Sequence, residues 1–278
     1  MLRLPSTDGV EVAVYDFGGG GPPLLLAHAT GFHAHTLEPL AAGLRGRFRC
    51  WAFDERGHGD SPPPASGSFD WHGFGDDALA VVDGLALERP FAFGHSAGGA
   101  ALLLAEQARP GTFRALYLYE PVVLPLDPPP GPSDDNPLAA GARKRRDVFP
   151  SRADALANFA GKEPFSVLRP DALQAYVEHG FADEPDGSVR LKCHRDDEAE
   201  TYRMGSAHDA FGRAALVRGP VTVACGELTN ALGPAAAGPL VDALPAARLE
   251  ILPGLGHFGP LQDPDAVAAS VLSFFASA

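Results

Sequence analysis

The sequence predicts an α/β fold in which a mostly parallel central sheet is flanked by helices and interrupted by one mainly helical insertion. Three observations predict it. Short apolar runs alternate with longer segments of helical periodicity. One run, Phe91–Phe93, enters Gly94-His95-Ser96-Ala97-Gly98 and continues as an Ala/Leu-rich helical pattern. Between about Leu124 and Val217 the alternation stops, behind a cluster of prolines.

Val10–Tyr15 alternates apolar and polar residues and reads as a strand. Gly18-Gly19-Gly20-Gly21 lacks the lysine and spacing of a phosphate loop and reads as a hairpin turn. Leu24–Ala27, Phe48–Phe53, Phe91–Phe93, Ala115–Tyr119, Val221–Cys225 and Arg248–Leu252 are short apolar runs, the pattern of strands buried on both faces. Helices are expected at Thr36–Leu44, at Phe74–Leu85 with Leu79, Val82 and Leu85 on its apolar side, and at Ala97–Ala108, stopped by Arg109-Pro110. Pro234–Leu244 and Pro264–Ala276 each open at a proline, which the first helical turn tolerates.

Pro125, Pro128, Pro129, Pro130 and Pro132 cannot continue a strand or helix. Helical patterns follow at Ala139–Val148, Ala153–Phe159, Pro170–His179 and Asp196–Met204. The aromatic residues Phe149, Phe159, Phe165, Tyr176, Phe181, Tyr202 and Phe211 speak for an ordered segment over a linker. The expected division is a core of residues 1–123 and 218–278, with residues 124–217 as a helical lid. Within the lid, Arg143-Lys144-Arg145-Arg146 reads as a solvated face, with contact to an anionic substrate as the alternative. Trp71, Phe165 and Tyr202 read as core residues before pocket residues.

Composition excludes several classes. At 278 residues, with 45% hydrophobic and 21% charged, the chain buries a core and is not disordered. Glycine (32) and proline (27) exceed a fifth of it without a triplet period, which excludes collagen. A net charge of −13 repels phosphate backbones, so no nucleic-acid partner is expected. No run approaches the roughly 18 apolar residues of a membrane span, and Met1–Asp8 has no signal-peptide pattern. Three scattered cysteines, Cys50, Cys193 and Cys225, fit a reducing cytoplasm. His33-Ala34-His35 is not by itself a metal site, and is expected near the mouth of a pocket or in solvent. No metal or cofactor is expected, and nothing in the sequence specifies an oligomeric state.

The chemistry centres on Ser96. A strand, Gly-x-Ser-x-Gly and a helix in succession make a nucleophile elbow, which lifts the hydroxyl above the sheet beside a helix N-terminus. A serine hydroxyl is barely ionised at neutral pH and needs a base. His257, in the Gly-flanked segment Gly254-Leu255-Gly256-His257-Phe258 after the last expected strand, is the candidate. The amide of Ala97, directly after the nucleophile, is a candidate oxyanion donor.

Three further motifs join the elbow: His28-Ala29-Thr30-Gly31-Phe32, Asp54-Glu55-Arg56-Gly57-His58-Gly59-Asp60-Ser61 and the His257 segment. In this order they resemble the α/β-hydrolase superfamily over nearly the whole chain outside the insertion. The resemblance implies a cofactor-free enzyme with His257 as catalytic base and the Thr30 amide as second oxyanion donor. It implies organising roles for Asp54 and Arg56, and structural ones for His58 and His95. It also implies a triad acid after Val221–Cys225, where this chain has Gly226-Glu227-Leu228-Thr229, with Thr229 at the expected Asp. A second placement, at the end of the strand after the nucleophile helix, is similar to some haloalkane dehalogenases and zearalenone-lactonase-like hydrolases. Here it is occupied by Glu120. Without the resemblance, Glu120 is either the triad acid or a structural carboxylate at the entry to the insertion.

The expected function is hydrolysis of a small-molecule carboxylic ester or lactone through an acyl-enzyme. Carbon–carbon or thioester hydrolysis and cofactor-free perhydrolysis use the same triad. Haloalkane dehalogenation and epoxide opening normally use an Asp nucleophile and rank below these. The reading from another class is a non-enzymatic small-molecule binding protein, supported by Thr229 in place of Asp.

Overall fold

The strands form where the apolar runs lie, because a run buried on both faces satisfies its backbone only by pairing on both edges. The computed structural model describes all 278 residues. Eight strands build the main sheet. The first six are β1 (Leu2–Pro5), β2 (Glu11–Gly18), β3 (Pro23–Ala27), β4 (Arg49–Phe53), β5 (Phe91–His95) and β6 (Leu116–Tyr119). Three short strands of a second sheet follow: β7 (Val148–Phe149), β8 (Phe181–Asp183) and β9 (Val189–Leu191). The main sheet then closes with β10 (Val221–Gly226) and β11 (Ala247–Leu252). Its order is β1-β2-β4-β3-β5-β6-β10-β11, antiparallel only at β1–β2 and β2–β4. Successive residues of β3 serve opposite faces: Leu24 and Leu26 join one apolar core, Leu25 and Ala27 the other.

The helices are α1 (Glu38–Leu44), α2 (Trp71–Gly84), α3 (Ala97–Ala108), α4 (Pro137–Lys144), α5 (Arg152–Ala160), α6 (Pro170–Gly180), α7 (Arg195–Met204), α8 (Pro234–Ala243), α9 (Gly259–Gln262) and α10 (Pro264–Phe275). Apolar residues of α1 and α10 fill one core, and those of α2, α3 and α8 fill the other. Helix α2 starts earlier than its apolar pattern suggests. Asp70 caps it by accepting the His72 N–H at 3.0 Å, and its buried face is Trp71, Phe74, Ala78, Val81 and Val82. Leu79 and Leu85 pack only partly buried against this core.

Three expectations need correction. β1 was not expected, because Leu2–Pro5 is a mostly exposed edge of four residues, too short for its alternation to stand out. Gly18–Gly21 is not a hairpin turn: β4 lies between β2 and β3, so the segment carries the chain past a neighbour instead of back along it. The stretch from 124 to 217 holds α4–α7 and also the antiparallel sheet β7-β9-β8. Strands of two and three residues are too short to carry a periodic signal.

Phe149, Phe159, Tyr176 and Phe181 from this stretch belong to the same apolar core as α1 and α10. Phe32 joins the two parts, its ring centroid 5.6 Å from Phe165 and 5.4 Å from Tyr176. No helix is long and apolar enough to cross a membrane.

Helix α3 packs so closely on β3 that a Cβ on Gly98 would stand 2.5 Å from the carbonyl carbon and oxygen of Ala27. Both obstacles are backbone and cannot swing aside. Gly98→Ala is expected to destabilise the fold by at least about 2–3 kcal/mol, the cost of overpacking a tight core. Urea unfolding measures it, and a midpoint equal to the wild type's would contradict the packing described.

Candidate active site

The elbow sits where β5 meets α3. Ser96 holds φ 55°, ψ −113°, a backbone state that non-glycine residues rarely adopt. It is clamped on both sides: its N–H donates to Tyr119 O at 2.9 Å, and its carbonyl accepts from Val122 N–H at 3.1 Å. A Cβ on Gly94 would stand 2.6 Å from Gly98 O and from the backbone of Gly99, so the tight reversal depends on small residues. Ser96 is nearly buried at the N-terminus of α3.

One strand further, Glu120 directly follows β6 in a left-handed backbone state, φ 45°, with its N–H held by Ala224 O at 2.7 Å. Its side chain is fully buried. Oε1 accepts from Gly226 N–H at 3.0 Å. Oε2 accepts from Thr229 Oγ1 at 2.8 Å and Leu232 N–H at 3.3 Å, and lies 2.7 Å from His257 Nδ1. Burial alone would raise this carboxyl's pKa. The bond and charge of His257, the Gly226 amide and the Thr229 hydroxyl outweigh it and hold the group below the ordinary glutamate range. A carboxylate only accepts, so Nδ1 carries a proton, and in the uncharged form of the ring Nε2 presents its lone pair.

The His257 segment is anchored from below. His95 Nε2–H donates to His257 O at 2.9 Å, and Tyr119 OH donates to Gly256 O at 2.7 Å. Burial brings the pKa of His95 down to about 3, so it remains a neutral donor.

The loop after β3 is tied to the elbow through Gly98 N–H, which donates to His28 O at 2.9 Å. The His28 ring is fixed at both nitrogens: Nδ1–H donates to Ala29 O at 2.8 Å, and Nε2 accepts from Glu55 N–H at 3.0 Å. Thr30 and Gly31 form the tip of a turn closed by Phe32 N–H to Ala29 O at 3.1 Å. The Thr30 amide donates to no protein group. Ala97, first residue of α3, has an amide without a partner inside its helix.

Asp54 and Arg56 organise this region. Asp54 accepts from Ala34 N–H at 2.7 Å, Asp60 N–H at 2.8 Å and Tyr15 OH at 2.8 Å. Arg56 forms a buried fork with Asp77 of α2, at 2.9 and 2.7 Å. Trp71 is buried and donates to Thr201 O at 3.1 Å.

Two side-chain readings are overturned. His33 does not face solvent: it is buried, 3.1 Å through Nε2 from Tyr176 O, and burial lowers its pKa to about 3. Arg145 does not share a solvated face with its basic neighbours. It turns inward to pair with Glu198 and donates to Tyr176 OH at 2.6 Å. His35, Glu38 and His179 bring their donor atoms within 4.8 Å of one another. The two rings, however, stack at 3.8 Å and 13°, and nearly parallel rings do not aim their lone pairs at one point.

The structure thus sets Ser96 and Glu120 at the ends of the adjacent strands β5 and β6, brings His257 onto Glu120, and ties the Thr30 loop to the elbow. Residues 24–270 match the family model described as the alpha/beta hydrolase family. The chain belongs to the alpha/beta hydrolase family. Its relatives include 2-(acetamidomethylene)succinate hydrolase of Mesorhizobium japonicum, 26% identical over 257 residues, covering 92% of this chain and 88% of the relative. A crystal structure of E-2-(acetamidomethylene)succinate hydrolase superposes with a TM-score of 0.82 at 23% identity, covering 99% and 98% of the two chains. The enol-lactonase of Burkholderia xenovorans LB400 superposes at 0.72 and 20% identity, covering 99% of this chain and all of its own. These superpositions support the fold.

Sequence reasoning met Thr229 only as a missing Asp. The structure makes it a hydroxyl donor to Glu120. Its place, three residues after Gly226, was the available signal. The supports from Asp77 and Tyr119 had no motif to announce them.

Thr229→Val, which keeps the shape but removes the donor, is expected to cost about 1–2 kcal/mol of stability. Thermal or urea unfolding reads it. Because Glu120 has a lowered pKa, its stabilising contribution is complete above the ordinary glutamate value of 4.5 and is lost as pH falls through the lower native value. The stability difference between wild type and Glu120→Gln should therefore shrink on acidification below about pH 4.5. A difference constant from neutrality to pH 3 would contradict the buried carboxylate network.

Proposed function

We propose that this hydrolase is a cofactor-free serine enzyme that cleaves a carboxylic ester or lactone through an acyl-enzyme. The observation carrying the proposal is the 2.7 Å contact of His257 Nδ1 with the buried Glu120 carboxylate, with a strained Ser96 at the end of the adjacent strand β5. In this reading Ser96 Oγ attacks the carbonyl while His257 Nε2 takes its proton. Glu120 orients the ring and stabilises the imidazolium. The amides of Thr30 and Ala97 receive the oxyanion, each worth about 3–4 kcal/mol. The tetrahedral intermediate collapses as His257 protonates the leaving alkoxide, and water, deprotonated by the same ring, then releases the acid.

We assign residues 124–217 as the lid that shapes the substrate pocket, and place the protein in the reducing cytoplasm, in keeping with three free, buried cysteines. Esterase and enol-lactonase structures among the neighbours support acyl transfer as the reaction type. The binding-protein reading leaned on the absent Asp at position 229. The carboxylate contact from Glu120 removes that support.

The test is turnover of short p-nitrophenyl esters, aliphatic and aromatic lactones, an acyl thioester and a vinylogous 1,5-diketone, with Ser96→Ala beside wild type. Ser96→Ala is expected to abolish both turnover and labelling by a serine-directed phosphonate. Glu120→Gln is expected to lower kcat by about 10³–10⁴-fold, since the charge that fixes the tautomer and supports the imidazolium is gone. Turnover that survives Ser96→Ala would sink the proposal.

A further inference from the structure

An ion pair from the insertion stands directly on the loop proposed to hold the oxyanion. Arg145, just past α4, pairs through Nη1 with Glu198 Oε2 of α7 and donates through Nη2 to Tyr176 OH of α6. The other Glu198 oxygen, Oε1, lies 2.5 Å from where a Cβ on Gly31 would stand, and Arg145 Nη1 lies 3.6 Å from that point. Gly31 follows Thr30 and holds φ +79°. Glycine is needed there twice over, for the left-handed backbone and for the approach of the carboxylate.

A third group completes the cluster. His58 is wholly buried, its ring centroid 5.4 Å from that of His28 at the base of the same loop, and a Cβ on the preceding Gly57 would stand 3.7 Å from Asp197 Cβ, next to Glu198. Its Nδ1–H donates to Arg56 O at 3.0 Å, which leaves Nε2 a bare acceptor, and Nε2 has no partner in the protein. Burial lowers the pKa of this ring, so it stays neutral. Beside it, the buried Glu55 carboxyl also lacks a partner, and burial raises its pKa well above the ordinary range. A buried polar atom without a partner is costly, and native proteins seldom keep one without a use.

The charge balance identifies what fits. Arg145 and Glu198 cancel. An arriving anion gains Arg145 but meets Glu198 and the lone pair of His58; a cation meets the reverse. Arg145 has five N–H donors, of which two are bonded within the protein. Glu198 Oε1 and His58 Nε2 supply acceptors. The complement is a neutral group that both donates and accepts.

We infer that Arg145, Glu198 and His58 form a polar subsite beside the Thr30–Gly31 loop that selects substrates carrying a hydroxyl or carboxamide near the scissile carbonyl. This rests on the serine-hydrolase reading and names the substrate class of that site. The pair is a neutral recognition unit, and removing its negative half converts it into an anion site.

The test uses p-nitrophenyl esters of matched length whose acyl chains end in methyl, hydroxyl, carboxamide or carboxylate. The same four tails on a fluorophosphonate read the subsite through the labelling rate of Ser96 wherever an ester is not turned over. Wild type is expected to favour hydroxyl or carboxamide over both methyl and carboxylate by about tenfold in kcat/KM or labelling rate. Glu198→Gln should raise the carboxylate-to-hydroxyl ratio at least about tenfold, because Arg145 is then uncompensated. His58→Leu, a second variant should the first fail to fold, should lower the hydroxyl-to-methyl ratio about tenfold. A wild type indifferent to the tail, or ratios unmoved by both variants, overturns the subsite. Turnover that persists in Ser96→Ala overturns the hydrolase reading instead, and the two failures are thereby separate.

Discussion

One buried carboxylate organises the candidate site. Glu120 has no solvent to stabilise its charge, so its ionised form depends on the protein groups around it. Those groups come from distant parts of the chain: the end of β10, the segment that follows it, and the His257 segment after β11. Each is placed by its bond to the same two oxygens. The carboxylate therefore fixes the imidazole and also holds together the loops that leave the C-terminal ends of three strands.

The strain at Ser96 and Glu120 is supported by the sheet in the same way. Both residues leave the ordinary backbone regions at the ends of adjacent strands, and each has its amide secured by the neighbouring strand or its extension. Unusual dihedrals persist only where the surroundings over-determine them. Here the parallel register supplies that surrounding, since β5, β6 and β10 end side by side.

The core strands and helices were legible because burial on two faces leaves an apolar run, and packing on one face leaves a period. Ser96 and His257 were legible because each lies in a local motif. Glu120 was singled out through the resemblance, as a second placement for an acid absent at Thr229, and not by a motif of its own. Other features had no local signature. The three-stranded sheet of the insertion is too short to show one. Arg145 sits in a basic run that looks solvated, and only the tertiary position of Glu198 turns it inward. His33 becomes a link between the core and α6 through a carbonyl 143 residues away, which no window of sequence contains. Thr229 read as a gap because a hydroxyl that donates to a distant carboxylate leaves no pattern along the chain.

The meeting of Glu120 and Thr229 has a consequence for how such sites change. The two residues reach one point from adjacent strands, so the acid of the proposed triad would be defined by a place in space and not by the strand that carries it. Moving it from one strand to the other takes two exchanges. If the new acid arrives first, two carboxylates crowd one buried spot and one must hold a proton. If the old acid leaves first, the imidazole stands without its partner. On the proposed assignment either order passes through an impaired chain, so the choice of strand, once made, would be held by the chemistry of the intermediates and not by any advantage of the final arrangement.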